Sequence, residues 1–169
     1  YEEDKKDEFS SEYEYGKKII GLRNLTPHAG ASTLIYMMHK ELQKAYNVIS
    51  MEIDTLEFMV HKDKTFVSAT KNDIAVLIQK FATVDVILID LNNYQDETIC
   101  DEVLYLVEPS AAMLKKLMLK DKEIFKKIKK QRVVLNKSML KNSDVKEFEY
   151  EAKTKVFYNM PPLDDREEN

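Results

Sequence analysis

The sequence holds a single cysteine, Cys100, in 169 residues, which excludes an internal disulfide and any cysteine-rich metal centre. Its three histidines, His28, His39 and His61, are too scattered to form a zinc motif. Glycine (3) and proline (4) are scarce, and the chain is 44% hydrophobic and 33% charged, a packed globular balance rather than a collagenous or disordered one. No stretch approaches the roughly 18 to 20 uncharged apolar residues of a membrane-spanning helix, and no secretory leader pattern opens the chain. Basic residues (26) are outnumbered by acidic ones (30), giving a net charge of -4, so the surface as a whole does not attract nucleic acid. Any such contact has to come from a local patch. These absences lead to the expectation of a soluble, cytoplasmic domain.

The length suits one domain. The first 17 residues, YEEDKKDEFSSEYEYGK, mix acids, lysines and tyrosines without apolar periodicity and read as a solvated linker or arm. The same run, acidic and tyrosine-rich, also suits phosphorylation. Residues 18–163 form the folded domain and 164–169 an acidic tail. Because the chain begins with Tyr1 rather than Met, a longer protein with an upstream domain is expected; processing would leave the same start.

From Lys18 onward, short β-type runs alternate with helical patterns. Strands are expected at Ile19–Leu25, Val48–Ile53, Val84–Leu91, Val103–Val107, Arg132–Leu135 and Lys155–Tyr158. Between them, 32–46 places Leu34, Ile35, Met38, Leu42 and Ala45 on one helical face, and 72–81 opens with an Asn-Asp cap. A long helix is expected over 110–130 and a weaker one over 143–152. VDVILIDL and CDEVLYLV are apolar through their middles, as strands covered on both faces are. The alternation predicts an α/β fold: a three-layer, doubly wound, mostly parallel sheet with ligands at the carboxyl ends of its strands.

The segment IIGLRNLTPHAGASTLIYMM is a strand, a short loop and a helix opening at Ser32. A helix amino terminus offers unpaired N–H groups and the positive end of its dipole, the setting in which phosphates are cradled. Against the pattern G-x-x-x-x-G-K-[ST], Gly30 and Ser32 fit, but Leu25 stands at the first glycine and Ala31 at the lysine. The strict motif fails.

In their order, however, these segments resemble the MinD/ParA ATPases, dimeric P-loop proteins with a deviant loop carrying lysines at two places. Thr26-Pro27-His28-Ala29-Gly30-Ala31-Ser32-Thr33 lies where that family has Lys-Gly-Gly-x-Gly-Lys-Thr-Thr. NVISMEID, with Glu52 and Asp54, is similar to the second strand; VDVILIDL, ending in Asp90, to the Walker B strand; CDEVLYLVEPS to the strand that follows. VVLNK, with Asn136, resembles the strand whose Asn recognises adenine, and KVFYNMPPLDD, with Pro161, the last strand and its base loop. Gly-Ala-Ser-Thr at 30–33 is closest to the CpaE/TadZ branch, atypical members that help place bacterial pilus-assembly machinery and often carry a receiver-like domain upstream. Thr26, Pro27 and His28 depart from the family pattern, and the stretch from Asp54 to Val84 is short for it.

The resemblance implies ATP or ADP with Mg²⁺ as cofactor, Ser32 and Asp90 as metal ligands with Thr33 a further hydroxyl, and Glu52 and Asp54 as catalytic carboxylates beside Asp90. His28, Ala29, Gly30, Ala31, Ser32, Thr33, Asn136 and Pro161 would surround the nucleotide. It also implies a homodimer and protein partners in an assembly machine, at the membrane or cell pole. Phosphoryl transfer needs cations on the β and γ phosphates, and the loop supplies none, so hydrolysis is expected to be weak or absent. Structural roles stand beside each of these: Glu52 and Asp54 as strand-end residues, Asp90 and Asn136 as turn residues, Ser32 and Thr33 as helix caps, His28 as a loop residue, Cys100 as a small buried hydrophobe. Separately, the expected helix over 110–130 carries Lys115, Lys116, Lys120, Lys126, Lys127 and Lys130. They suit either a solvated face or a patch for anionic membrane, DNA, an acidic partner or the chain's own acidic arm.

Overall fold

The computed structural model describes residues 16–128 and 132–162; the arm, apart from Gly16 and Lys17, the acidic tail and Lys130 lie outside the described residues. The elements are β1 (Lys18–Asn24), α1 (Ala31–Leu42), β2 (Val48–Ile53), β3 (Phe66–Ala69), α2 (Ile74–Lys80), β4 (Val86–Asp90), β5 (Glu102–Val107), α3 (Ala111–Lys120), α4 (Ile124–Lys127), β6 (Arg132–Leu135), α5 (Asn142–Ala152) and β7 (Val156–Asn159). Seven strands form one sheet in the order β3-β2-β4-β1-β5-β6-β7, and every pairing is parallel. The expected α/β class is what the chain adopts.

Connections between parallel strands are right-handed, so the face each one covers follows from the direction the chain moves along the sheet. From β1 it moves towards β2 and β3, and α1 and the 3₁₀ turn Glu57–His61 cover one face. From β3 it returns through β4 to β7, and α2, α3, α4 and α5 cover the other. Period-two alternation sorts the strand residues accordingly. Leu22, Leu88, Leu104, Leu106 and Val134 pack with Leu34 and Ile35 of α1; Ile87, Ile89, Val103, Tyr105 and Val133 pack with Ile74, Leu117, Phe125 and Phe148. Burial on both faces explains the unbroken apolar runs.

Because β1 lies between β4 and β5, the connection from Leu91 to Asp101 must pass over it. It does so without an α-helix, lying close against the sheet. A Cβ on Gly21 would collide with the side chain of Leu91 and stand 2.8 Å from Cys100 Sγ. Arg23, on the same face, fastens the connection: its Nε pairs with Glu97 Oε1 at 2.7 Å, and its two terminal nitrogens donate to the carbonyls of Leu91 (2.9 Å) and Tyr94 (2.6 Å). Glu97 also accepts from the Tyr105 hydroxyl. Burial, aided by Glu97 and Asp101, pushes the Cys100 thiol up to about 12.

One expectation is corrected and one element is added. The helix over 110–130 is broken at Asp121, whose Oδ1 accepts the Glu123 N–H (3.0 Å) and whose Oδ2 binds Lys127 Nζ (2.5 Å), a local alternative to helical bonding. The strand β3 was not foreseen, because four residues after a polar turn carry too little periodicity to read; pairing with β2 creates it. Beneath it, buried His39 of α1 joins two strands and a turn, its Nδ1 2.6 Å from Ser50 Oγ, its Nε2 3.0 Å from Thr65 Oγ1 and its ring stacked on Phe66.

Gly21→Ala is expected to lower unfolding stability by about 1 to 3 kcal/mol in denaturant titrations, since the crossing segment has to be displaced; an unchanged midpoint would show that it can shift freely. A second expectation concerns pH. Burial holds His39 below its ordinary value of 6.5, outweighing the opposing effect of Asp63. The unfolded chain therefore binds the extra proton, so the stability from neutral His39 is complete above about pH 6.5 and is lost as pH falls through the lower folded-state value. Thermal melts between about pH 7 and pH 5 should show this loss, and His39→Gln should flatten it.

Candidate functional site

The loop from β1 to α1 carries no lysine, arginine or carboxylate side chain. The Leu25 N–H donates to Leu106 O (2.9 Å), and the Glu108 N–H donates to the buried Thr26 Oγ1 (2.9 Å), tying the loop to the end of β5. His28 has φ 55° and Gly30 φ 96°, so two left-handed residues turn the chain into α1. Glycine is required at position 30 for a second reason: a Cβ there would stand 2.6 Å from Asn136 Nδ2. From the end of β6, Asn136 Nδ2 donates to Ala29 O at 2.7 Å and Lys137 Nζ to His28 O at 3.0 Å.

At the mouth of α1, the Ala31 N–H donates to Asn24 Oδ1 (3.1 Å), while the Asn24 N–H donates to Asn92 Oδ1 (2.8 Å). Ser32 Oγ donates to Asp90 Oδ2 at 3.1 Å, and Asp90 Oδ1 accepts both the N–H and the side-chain amide of Asn92 (3.0 and 2.8 Å). Asn24, Ser32, Asp90 and Asn92 border a cleft of about 530 Å³ at the carboxyl edge of the sheet, closed on the far side by Lys116, Leu117 and Lys120 of α3. The loop after β1 leaves towards one face and the segments after β4 and β5 towards the other, and that divergence opens the cleft.

Three carboxylates were expected here, and all three lie at the carboxyl edge, but only Asp90 borders the cleft. Glu52 is 2% exposed; its Oε1 accepts from Ser68 Oγ (2.6 Å) and the Phe58 N–H (2.9 Å), and its Oε2 from Thr55 Oγ1 (2.7 Å). It joins β2, β3 and the turn between them. Asp54 (φ 56°) turns outward to Lys71, accepting its N–H at 3.2 Å. His28 borders the main cleft, while Gly30, Ala31 and Thr33 edge a smaller hollow with His28, Ser32 and Lys137. Ala29 is buried, and exposed Pro161 follows Met160, whose carbonyl accepts the Ser138 N–H. Lys115, Lys126 and Lys127 are not on the cleft wall; Lys126 pairs with Glu123 and Lys127 with Asp121. Sequence reasoning passed over Asn24, Asn92, Asn93 and Lys137. The only signal was polar residues directly after apolar strands.

Among the described residues no group of three or more His, Cys, Asp or Glu is placed to hold a metal. The Ser32 hydroxyl and Asp90 carboxylate are oxygen ligands of the kind Mg²⁺ takes. A triphosphate held in the usual loop geometry does not fit: the loop from Leu25 to Ala31 has no lysine or arginine, and Asn24 already holds the first N–H of α1.

No protein-family model matches the chain, and no curated protein matches it. Solved structures do. A ParA family ATPase from Chlorobium tepidum TLS matches with a TM-score of 0.60 and 15% identity, covering 89% of this chain and 86% of that one. A chain described as a plasmid partition protein from Borrelia burgdorferi B31, bound to AMPPNP, matches with a TM-score of 0.57 and 14% identity, covering 89% and 88%. The chain therefore shares the fold of ParA-family ATPases.

Asn136→Ala is expected to cost about 1 to 3 kcal/mol, because it leaves the Ala29 carbonyl of a buried residue without its donor. Hydrogen exchange should then accelerate across residues 25–33. Unaltered exchange there would show that the loop holds its shape without β6.

Proposed function

We propose that this domain is a P-loop ATPase-like scaffold, closest to the CpaE/TadZ branch, that positions or recruits components of a bacterial pilus- or secretion-type assembly with weak or no ATP hydrolysis. One observation carries the reading: where a phosphate-binding loop keeps its first helical N–H open and a lysine beside it, Asn24 Oδ1 accepts the Ala31 N–H and no loop cation is present. Loss of a preorganised cation removes on the order of several kcal/mol of transition-state stabilisation, enough to silence turnover while leaving the fold intact. The working position is cytoplasmic, peripheral at the membrane or cell pole.

A constitutive homodimer across the loop belongs to the same proposal. Pro27 and His28 are exposed at the loop's tip, and Pro27 together with the Asn136 and Lys137 bonds makes that tip stiff. Exposed Leu56, Met59 and Val60 lie on the turn beside the cleft, an apolar patch that a second copy would cover. A second reading, a slow Mg-ATPase switch whose dimerisation follows ATP, draws support from the Ser32–Asp90 contact.

Both are decided on one set of samples. ATP turnover should lie far below about 1 per second, and light scattering should give a dimer with or without Mg-ATP that His28→Glu dissociates. Turnover at or above that rate, abolished by Asp90→Ala, would replace the scaffold with the switch, and a monomer under every condition would remove the dimer.

A further inference from the structure

The wall of the cleft opposite Ser32 and Asp90 is the α3 face that bears Lys116 and Lys120. They stand one helical turn apart, and the neighbouring Leu117 is buried in the sheet core, so the residue that anchors α3 also fixes the direction of its lysines. Lys126 and Lys127 are neutralised by acids of their own segment, whereas Lys116 and Lys120 have no ion-pair partner among the described residues. The rest of the cleft supplies neutral polar groups from Asn24, Asn92, Asn93 and Thr26. Its two carboxylates are Glu57 and Asp90, and both oxygens of Asp90 are engaged by Ser32 and Asn92. The same two bonds that tie Leu25 and Thr26 to Leu106 and Glu108 fix the loop to the strand end from which α3 departs, so both walls share one root.

We propose that Lys116 and Lys120 hold a phosphorylated anion in this cleft, supplying from α3 the positive charge that the loop between β1 and α1 lacks. The anion is recognised by its phosphate oxygens through two ammonium groups. The inference rests on the scaffold reading in that the ligand is held and released rather than hydrolysed. It places the site's charge on a helix that begins after β5, where a search for a loop lysine does not look.

The test is binding of inorganic pyrophosphate, and in parallel of Mg-ATP, to the full 169-residue chain by calorimetry. Lys116→Ala with Lys120→Ala is compared with Lys115→Ala with Lys122→Ala, which carries the same charge change away from the cleft, and with the charge-preserving pair Lys116→Arg and Lys120→Arg. Pyrophosphate is expected to bind the wild type and the 115/122 pair alike, to weaken about tenfold or more in the 116/120 alanine pair, and to be retained by the arginine pair. Tighter binding of Mg-ATP with the same lysine dependence would make a nucleotide the occupant; equal binding would assign the site to the phosphate group alone. No binding of either probe to the wild type, or equal weakening in the two alanine pairs, overturns the assignment. ATP turnover by the same samples reports separately: rapid hydrolysis sinks the scaffold reading whatever the lysines do, and lysine-independent binding sinks this one whatever the turnover.

Discussion

The central strand β1 is paired on both sides, and the chain passes back over it between β4 and β5 because residue 21 has no side chain. The segment from Leu91 to Asp101 lies flat, with Leu91 and Cys100 over Gly21 and the Arg23 guanidinium fastening Glu97 and two carbonyls. An arginine suits that task because its planar fork reaches several acceptors in fixed directions, and partial burial keeps water from competing for them. With β4, β1 and β5 locked side by side, their carboxyl ends are brought together. The cleft is the space left as their connections part to opposite faces.

What surrounds that space is held by amides rather than by ions. Asn24 caps α1, Asn92 holds both Asn24 and Asp90, and Asn136 reaches across from β6 to the carbonyl before Gly30. Each is a short side chain carrying both donor and acceptor, so each satisfies backbone groups that a phosphate or a lysine would otherwise meet.

Glu52 shows how one residue type at one strand end takes a different role from its neighbour. In sequence it stands like Asp90, an acid closing an apolar strand, and the register of β2 beside β4 sets the two side by side. Asp90 meets Ser32 and the cleft, whereas Glu52 meets Ser68, Thr55 and the Phe58 N–H. The difference comes from β3 and its preceding turn, a stretch whose pieces are too short to show a periodicity that folds them against β2.

Class, strand count short of one, and the loop-to-helix turn at Gly30 were determined by the sequence, because apolar runs covered on both faces, helical spacing and left-handed backbone at glycine are local properties written in consecutive residues. The missing loop cation was equally plain from Thr26 and Ala31. Tertiary structure alone decided that Phe66–Ala69 forms a strand, by pairing with β2. It decided likewise that Lys116 and Lys120, but not Lys115, Lys126 or Lys127, face the cleft, and that three asparagines from three strand ends converge on one loop. Those outcomes depend on contacts between residues as far as 107 positions apart in the chain, set by the order of strands in the sheet. A single sequence has no local pattern that records such an order.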